Sequence, residues 1–156
     1  MRPCDLTVFG THGDLARRKL LPALYQLEEA GLLDPESAII GVARRQFTDA
    51  GYVALVRESL EHFMKAPIEA AVWERFARRL RFAQVDLAQP EQYVRLNATV
   101  DQTRRDTVNY FAVAPALFGA ICQGLAAAGL ATPAARVVME KPIGTDLASS
   151  RVINDA

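Results

Sequence analysis

The stretch that most constrains the fold is an apolar run that ends in a glycine-bracketed turn and continues into a basic segment. The run occupies residues 6–9, the glycines are Gly10 and Gly13, and Ala16 precedes three consecutive basic residues. This order is typical of a buried parallel strand, a tight turn and a helix. Gly10 permits the turn, Gly13 lets a phosphate approach the backbone, and the helix N-terminus offers N–H groups to an anion.

The spacing of this loop is Gly-x-x-Gly-x-x-Ala, which departs from the strict Gly-x-Gly-x-x-Gly fingerprint. Two interpretations of the loop therefore remain open on these residues alone. It is either a phosphate-binding loop or an ordinary turn between a strand and a helix, because glycine turns after strands are common.

Composition narrows the class of protein. A chain of 156 residues that is 51% hydrophobic can form one domain with a sizeable core, which excludes a disordered chain. Its 18 basic and 18 acidic side chains cancel, so charge does not favour a nucleic-acid binder. Cys4 and Cys122 have no metal-ligand spacing, which predicts reduced thiols in a cytoplasmic protein and no metal site. We expect neither a signal peptide nor a membrane span.

Apolar runs alternate with helical patterns along the whole chain. This alternation predicts an α/β fold with a doubly wound, mainly parallel sheet of the Rossmann-like type. The strands are predicted over residues 6–9, 38–43, 80–85, 107–113 and 136–140.

Capping residues and prolines predict where the helices begin. Pro22 should kink or restart the first helix, and Thr48 or Asp49 should cap the second. Pro67 and Pro90 should open the third and fourth. The remaining helices are predicted over residues 117–128 and from residue 145 onward.

Two groups of residues are interpreted as surface features. His62 has no suggested partner and is expected to be exposed or half-buried. Four arginines close together in sequence are expected to form a solvated face rather than an RNA-binding surface: Arg75, Arg78, Arg79 and Arg81.

Several polar or glycine-containing segments follow predicted strands and should meet at one edge of the sheet. Arg44 and Arg45 follow the second strand, beside the position of an adenosine ribose in a dinucleotide-binding unit. An acidic residue there favours NAD, whereas an arginine pairs with a 2′-phosphate and favours NADP. The alternative for these residues is a pair of solvated loop arginines.

Four motifs in this order resemble the glucose-6-phosphate dehydrogenase family. They are the loop with Asp-Leu-Ala and a basic triplet within residues 8–24, Ile-Gly-Val-Ala-Arg at 40–44, Phe-Ala-Val-Ala-Pro at 111–115, and Glu-Lys-Pro-x-Gly within 138–147. The resemblance covers essentially the whole chain. It implies NADP-linked oxidation of glucose 6-phosphate to 6-phosphogluconolactone, the entry step of the pentose phosphate pathway, by a homo-oligomeric enzyme.

The resemblance also implies roles for individual residues. Arg44 would take the 2′-phosphate, Lys19 would support the active site near the substrate, and Lys141 would touch both substrate and cofactor. Pro142 would follow a peptide bond that can be cis in this family. The residues implied in cofactor binding are Gly10, Thr11, His12, Gly13, Asp14, Leu15, Ala16, Arg17, Arg44, Asp86 and Lys141.

Some positions depart from the family pattern. His12 stands where a serine or lysine is more common, and we expect its side chain to face water rather than the pyrophosphate. Ala114 replaces the first proline of a pair. The family's catalytic base, a histidine in an Arg-Ile-Asp-His-Tyr stretch, is missing, because the two histidines of the chain are His12 and His62.

The missing base leads to an expectation about the whole chain. Residues 1–156 should form a dinucleotide-binding domain that lacks the C-terminal α+β substrate and dimerisation domain, and that binds NADP without turning over glucose 6-phosphate. Two alternatives remain. The chain is another NAD(P)-dependent oxidoreductase with the same domain, or a non-catalytic nucleotide-binding module.

Overall fold

A parallel sheet forms the centre of the fold. The computed structural model describes residues 3–100, 102 and 104–139. The strands within these residues are β1 (Cys4–Phe9), β2 (Ile39–Ala43), β3 (Leu80–Gln84), β4 (Asp106–Phe111) and β5 (Ala135–Met139). They lie in the order β3-β2-β1-β4-β5, and every neighbouring pair is parallel. The prediction of a doubly wound parallel sheet is therefore confirmed.

Burial explains why apolar runs in the sequence predicted the strands. All five residues of β2 are buried, because helices cover both faces of the sheet at this position. The strand ends differ from the predictions by one or two residues, and β4 ends at Phe111 rather than at residue 113. Residue 140, the predicted end of the fifth strand, lies outside the described residues.

The first helix changes type where Pro22 was predicted to interrupt it. A π-helical segment (Ala16–Leu20) runs directly into α1 (Leu21–Glu29), with Pro22 in the first turn of α1. The Leu21 N–H donates to the Ala16 carbonyl five residues earlier. Pro22 has no N–H to donate, so the bonding pattern restarts there, as predicted.

Helix α2 (Asp49–Phe63) is capped by Thr48, whose hydroxyl accepts from the Gly51 N–H at 2.9 Å. The Asp49 carboxylate instead accepts from the Phe82 N–H of β3 at 2.9 Å. Thr48 is therefore the capping residue of the two candidates, and Asp49 ties the start of α2 to the sheet. His62, in the last turn of α2, is exposed as expected.

Of the two proline-based predictions of a helix start, the one for Pro67 was wrong in detail and the one for Pro90 was confirmed. Helix α3 (Ala70–Arg78) begins three residues after Pro67. The reason is that Glu69 has an extended backbone and donates its N–H to the Tyr25 hydroxyl at 2.9 Å, which holds the preceding segment out of the helix. The segment that Pro90 opens is a 3₁₀ helix, Pro90–Ala98, rather than an α-helix. A 3₁₀ turn at Pro115–Leu117 leads into α4 (Phe118–Ala127).

Aromatic side chains fill the core on both faces of the sheet. Helices α1, α2 and α3 pack on one face around Tyr25, Tyr52 and Phe76, all fully buried. The 3₁₀ helix and α4 cover the other face around Tyr93 and Ile121. None of the helices in the described ranges has both the length and the apolar character to cross a bilayer.

The expectation of a solvated arginine face was wrong for Arg79. Its side chain is only 8% exposed and forms a bidentate ion pair with Glu28, with N–O distances of 2.6 and 3.1 Å. It also donates to the carbonyls of Asp34 and Ser37. The other three arginines of the cluster are exposed as predicted. Arg79 therefore ties the end of α3 to α1 and to the loop before β2.

Candidate functional site

The glycine loop lies at the carboxyl edge of the sheet, where the strand order reverses between β1 and β4. Gly10 directly follows β1 and has φ +81°. A Cβ on Gly10 would lie 2.4 Å from Val113 Cγ1 and 2.7 Å from the Ala112 carbonyl oxygen. Position 10 therefore requires glycine both for its backbone conformation and for the close approach of the segment after β4. Crevices at such a reversal are the usual ligand sites of open α/β sheets.

Backbone hydrogen bonds hold the loop against the end of β2. The Gly10 N–H donates to the Val42 carbonyl at 2.9 Å, and the Thr11 N–H points to the same oxygen at 3.4 Å. The Gly13 N–H donates back to the Gly10 carbonyl at 2.9 Å. The loop therefore lies beside the residues that follow β2, and the predicted convergence of these two segments is confirmed.

Thr11 and Tyr52 hold the loop on its buried side. Both side chains are fully buried, and their hydroxyls are hydrogen-bonded to each other. The Tyr52 ring lies over Gly41 of β2, where an added Cβ would come within 2.4 Å of the ring. Burial raises the pKa of Tyr52 well above its ordinary value, so the phenol stays neutral. Sequence reasoning missed this contact, although a glycine inside an apolar strand is a signal of close approach.

His12 is the exposed member of the loop. Partial burial lowers the pKa of its imidazole, and the positive charges of Arg45, Arg17 and Arg44 lower that pKa further. The ring is therefore mainly neutral at pH 7 in this structure. Exposure agrees with the expectation that His12 faces water.

Two exposed arginines stand at the end of β2. The Arg45 guanidinium lies over the Phe47 ring, 5.2 Å from its centroid. Arg44 offers its carbonyl to the Gln84 amide at 3.0 Å. Within the part of the chain that the structure describes, no carboxylate pairs with the Arg44 guanidinium, which leaves its donors available to an anion.

The rest of the segment that follows the loop is held by the protein itself. Arg17 donates from Nε to the Ser59 hydroxyl at 2.9 Å and lies 3.7 Å from the Glu58 carboxylate, so α2 holds its side chain. Asp14 is exposed and pairs with Arg18 at 3.3 Å. Leu15 and Ala16 pack into the core, so any contact from them to a ligand would come from their backbone.

Of the remaining predicted residues, the structure describes Asp86 and Lys19. Asp86 follows β3, and its carboxylate accepts from the Ala88 N–H at 3.0 Å, which stabilises the turn before the 3₁₀ helix. Lys19 is exposed on the π-helical segment. Lys141 and Pro142 lie outside the described residues. Their predicted roles stay predictions.

The loop and the arginines fit a dinucleotide. Position 10 has no Cβ to block the approach of a phosphate. The N–H groups at the start of the following helix and the neighbouring arginines are the hydrogen-bond donors that a phosphate needs. Among the residues that the structure describes, no group of three or more His, Cys, Asp or Glu side chains could hold a metal ion. The N–H groups at the start of the helix and the guanidinium groups are suited to binding an anion.

Comparison with known proteins identifies the family. A family model described as "Glucose-6-phosphate dehydrogenase, NAD binding domain" matches residues 7–156. The chain belongs to this family. Membership makes it a pyridine-nucleotide-binding domain of glucose-6-phosphate dehydrogenase type.

Curated relatives support the same assignment. A glucose-6-phosphate 1-dehydrogenase from Dickeya dadantii is 55% identical over 152 residues, which are 97% of this chain and 31% of the relative. The enzyme of the same name from Mycolicibacterium smegmatis is 47% identical over 160 residues, with 99% of this chain and 32% of the relative covered. The chain therefore spans about a third of the length of the curated glucose-6-phosphate 1-dehydrogenases that it matches.

Solved structures of glucose-6-phosphate dehydrogenases share the fold. The crystal structure of the enzyme from Mycobacterium avium has a TM-score of 0.84 at 34% identity, covering 99% of this chain and 33% of that one. A glucose-6-phosphate dehydrogenase in complex with its substrate glucose 6-phosphate has a TM-score of 0.77 at 27% identity, with the same coverage. The Rossmann-like sheet of this chain is thus the sheet of its family.

Proposed function

We propose that residues 1–156 form the NADP-binding domain of an enzyme that oxidises D-glucose 6-phosphate to 6-phospho-D-glucono-1,5-lactone in the pentose phosphate pathway. The observation that carries the choice of NADP is the end of β2, where Arg44 and Arg45 stand and an acidic residue does not. Arginine pairs with a 2′-phosphate, whereas NAD-specific domains use a carboxylate for the free 2′-hydroxyl. The names of the curated relatives support the substrate and the reaction.

The roles of individual residues follow from this assignment. The glycine loop would admit the pyrophosphate to the N–H groups at the start of the following helix, and Arg44 would hold the 2′-phosphate. Lys19 and Lys141 would lie toward the sugar phosphate. When bound, NADP supplies a hydride acceptor. The oxidation also needs a base for the C1 hydroxyl proton. His62 is a poor candidate, because it lies in the last turn of α2, at the far end of that helix from Thr48. The proposal therefore includes NADP binding by this chain without turnover.

Assembly and location belong to the same proposal. We place the full-length enzyme among homo-oligomers on the strength of its family. Cys4 and Cys122 are not joined by a disulfide, which supports a cytoplasmic location.

The cofactor choice predicts a selective effect of Arg44→Ala. Loss of a charge-assisted contact to phosphate should raise the Kd for NADP by about 10- to 100-fold. The Kd for NAD should change by less than about 2-fold, because NAD has no 2′-phosphate for Arg44 to bind. Isothermal titration calorimetry of both nucleotides on the purified chain measures the two values.

A matched control separates the contact of Arg44 with the 2′-phosphate from the general effect of removing one positive charge. Arg78 is also exposed but lies on α3, where it pairs with Glu74 at 2.8 Å. Arg78→Ala removes the same charge and should leave both affinities unchanged. Equal losses of NADP and NAD affinity in Arg44→Ala would contradict the 2′-phosphate assignment, and absence of binding by the parent chain would contradict the proposed site itself.

A further inference from the structure

We propose that His12 takes up a proton from solvent when the 2′-phosphate of NADP binds, and that this proton strengthens the binding of NADP over NAD as the pH falls. The inference rests on the proposed function and assigns one residue of the glycine loop to cofactor selectivity. It concerns a position where the chain carries a histidine instead of the family's more common serine or lysine.

The fold brings His12 into a cluster of cations contributed by three segments. The hydrogen bonds of Gly10 and Thr11 to the Val42 carbonyl place the loop two residues before Arg44 and three before Arg45 on the neighbouring strand. The Arg17 N–H donates to the Gly13 carbonyl at 3.1 Å, which brings the first turn of the π-helical segment to the same place. We call His12, Arg17, Arg44 and Arg45 the edge cluster.

The acidic groups near the edge cluster are already engaged. Glu58 lies against Arg17, and Asp14 pairs with Arg18 one turn along the same segment. The phenol of Tyr52, beneath the loop, is buried and neutral. Within the described residues, partial burial is the largest cause of the lowered pKa of His12, and the charges that lower that pKa further are the three arginines.

Binding of a phosphate would reverse the electrostatic effect that the arginines have on His12. A phosphomonoester carries a charge of about −1.5 to −2 at pH 7 and has three acceptor oxygens. Placed among Arg44, Arg45 and His12, it would cancel the repulsion from the arginines and favour the imidazolium, which raises the pKa of His12. NAD lacks this group and would produce a smaller change. Since the bound form holds the proton more tightly, NADP affinity should rise as the pH falls through the window between the free and bound midpoints.

The direct test follows the two histidines by NMR. Because His12 and His62 are the only histidines of the sequence, the ring signals can be assigned with one variant, His12→Gln. Saturating NADP should shift the titration midpoint of His12 upward and saturating NAD should shift it less. His62, at the far end of α2, is the internal reference and should not respond to either nucleotide.

Binding measurements give a second readout. Between about pH 8 and about pH 6 the Kd for NADP should fall by about 3- to 10-fold more in the parent chain than in His12→Gln. The 2′-phosphate itself titrates near pH 6, so both proteins share that background and the difference isolates His12. Calorimetry in buffers of different ionisation enthalpy should show greater proton uptake by the parent chain.

The outcomes distinguish the two proposals. NADP binding with an unmoved His12 midpoint, or with equal proton uptake in His12→Gln, overturns the His12 inference and leaves the nucleotide site intact. Equal midpoint shifts with NADP and NAD overturn the 2′-phosphate as the cause. Absence of NADP binding overturns the proposed function and this inference together.

Discussion

Replacing Arg79 with methionine is expected to lower the free energy of unfolding by about 3–5 kcal/mol, because it leaves the carboxylate of Glu28 buried without its partner. The two side chains are 8% and 4% exposed, and two N–O contacts of 2.6 and 3.1 Å join them. Water cannot replace the guanidinium at such a site without opening the packing. Uncompensated burial of a charge is among the largest penalties that one substitution can cause.

The substitution would also remove the hydrogen-bond donor from backbone carbonyls that Arg79 contacts. Its guanidinium donates to the carbonyls of Leu33, Asp34 and Ser37, which shape the loop between α1 and β2. These acceptors would lose their donor together with Glu28. The loss of these partly buried hydrogen bonds adds to the cost of the variant.

Urea unfolding followed by circular dichroism measures the effect, and Arg78→Met is the matched control. Arg78 is the preceding residue, is exposed, and pairs with Glu74 across one helical turn. Its loss should cost less than about 1 kcal/mol. A double variant, Glu28→Leu with Arg79→Met, should regain much of the stability because no buried charge remains. If Arg79→Met is as stable as Arg78→Met, the buried pair is not the connection that we describe.

Replacing Gly10 with alanine is expected to destabilise the chain by about 2–5 kcal/mol and to abolish measurable nucleotide binding. A left-handed backbone costs a residue with a Cβ about 1–2 kcal/mol, and forcing a methyl group into a packed site costs about 1–3 kcal/mol more. At φ +81° the new Cβ would lie 2.4 Å from Val113 Cγ1 and 2.7 Å from the Ala112 carbonyl oxygen. The loop must therefore move away from β4, and its N–H groups move with it.

The control variant Gly31→Ala separates the cost of a left-handed backbone conformation from the cost of the steric contacts that an added Cβ makes at position 10. Gly31 follows α1 with φ +71°, and a Cβ there would meet nothing within 4 Å. We expect this control to cost about 1–2 kcal/mol and to bind nucleotide normally. Thermal unfolding and calorimetric titration of the two variants measure both differences. Equal stability of Gly10→Ala and Gly31→Ala, with nucleotide binding retained, would show that the approach of Val113 does not constrain the loop.

A second substitution tests the identity of the contact. Val113→Ala removes the side-chain atom nearest to the added Cβ but leaves the Ala112 carbonyl in place. Combined with Gly10→Ala, it should restore part of the stability but not the nucleotide affinity. Full recovery of binding would contradict the role of the backbone contact.

The sequence alone predicted the parallel sheet, the glycine turn at its edge and the arginines after the second strand. These features were predictable because each is encoded locally. A buried parallel strand is a short apolar run, a left-handed turn after it selects glycine, and the residue that follows the run must lie at the carboxyl edge. The restart of the first helix at Pro22 was predictable for the same reason, since the missing N–H belongs to that residue.

Only the tertiary structure decided which side chains meet across the chain. Arg79 pairs with a residue 51 positions away, and Thr11 bonds to one 41 positions away. Neither pairing leaves a local pattern, so Arg79 resembled its exposed neighbours and Tyr52 resembled any core aromatic residue. The surroundings of His12 also come from three segments that the sheet assembles. Periodicity reports which face of an element is buried, whereas the partner of a polar group depends on how the elements pack together.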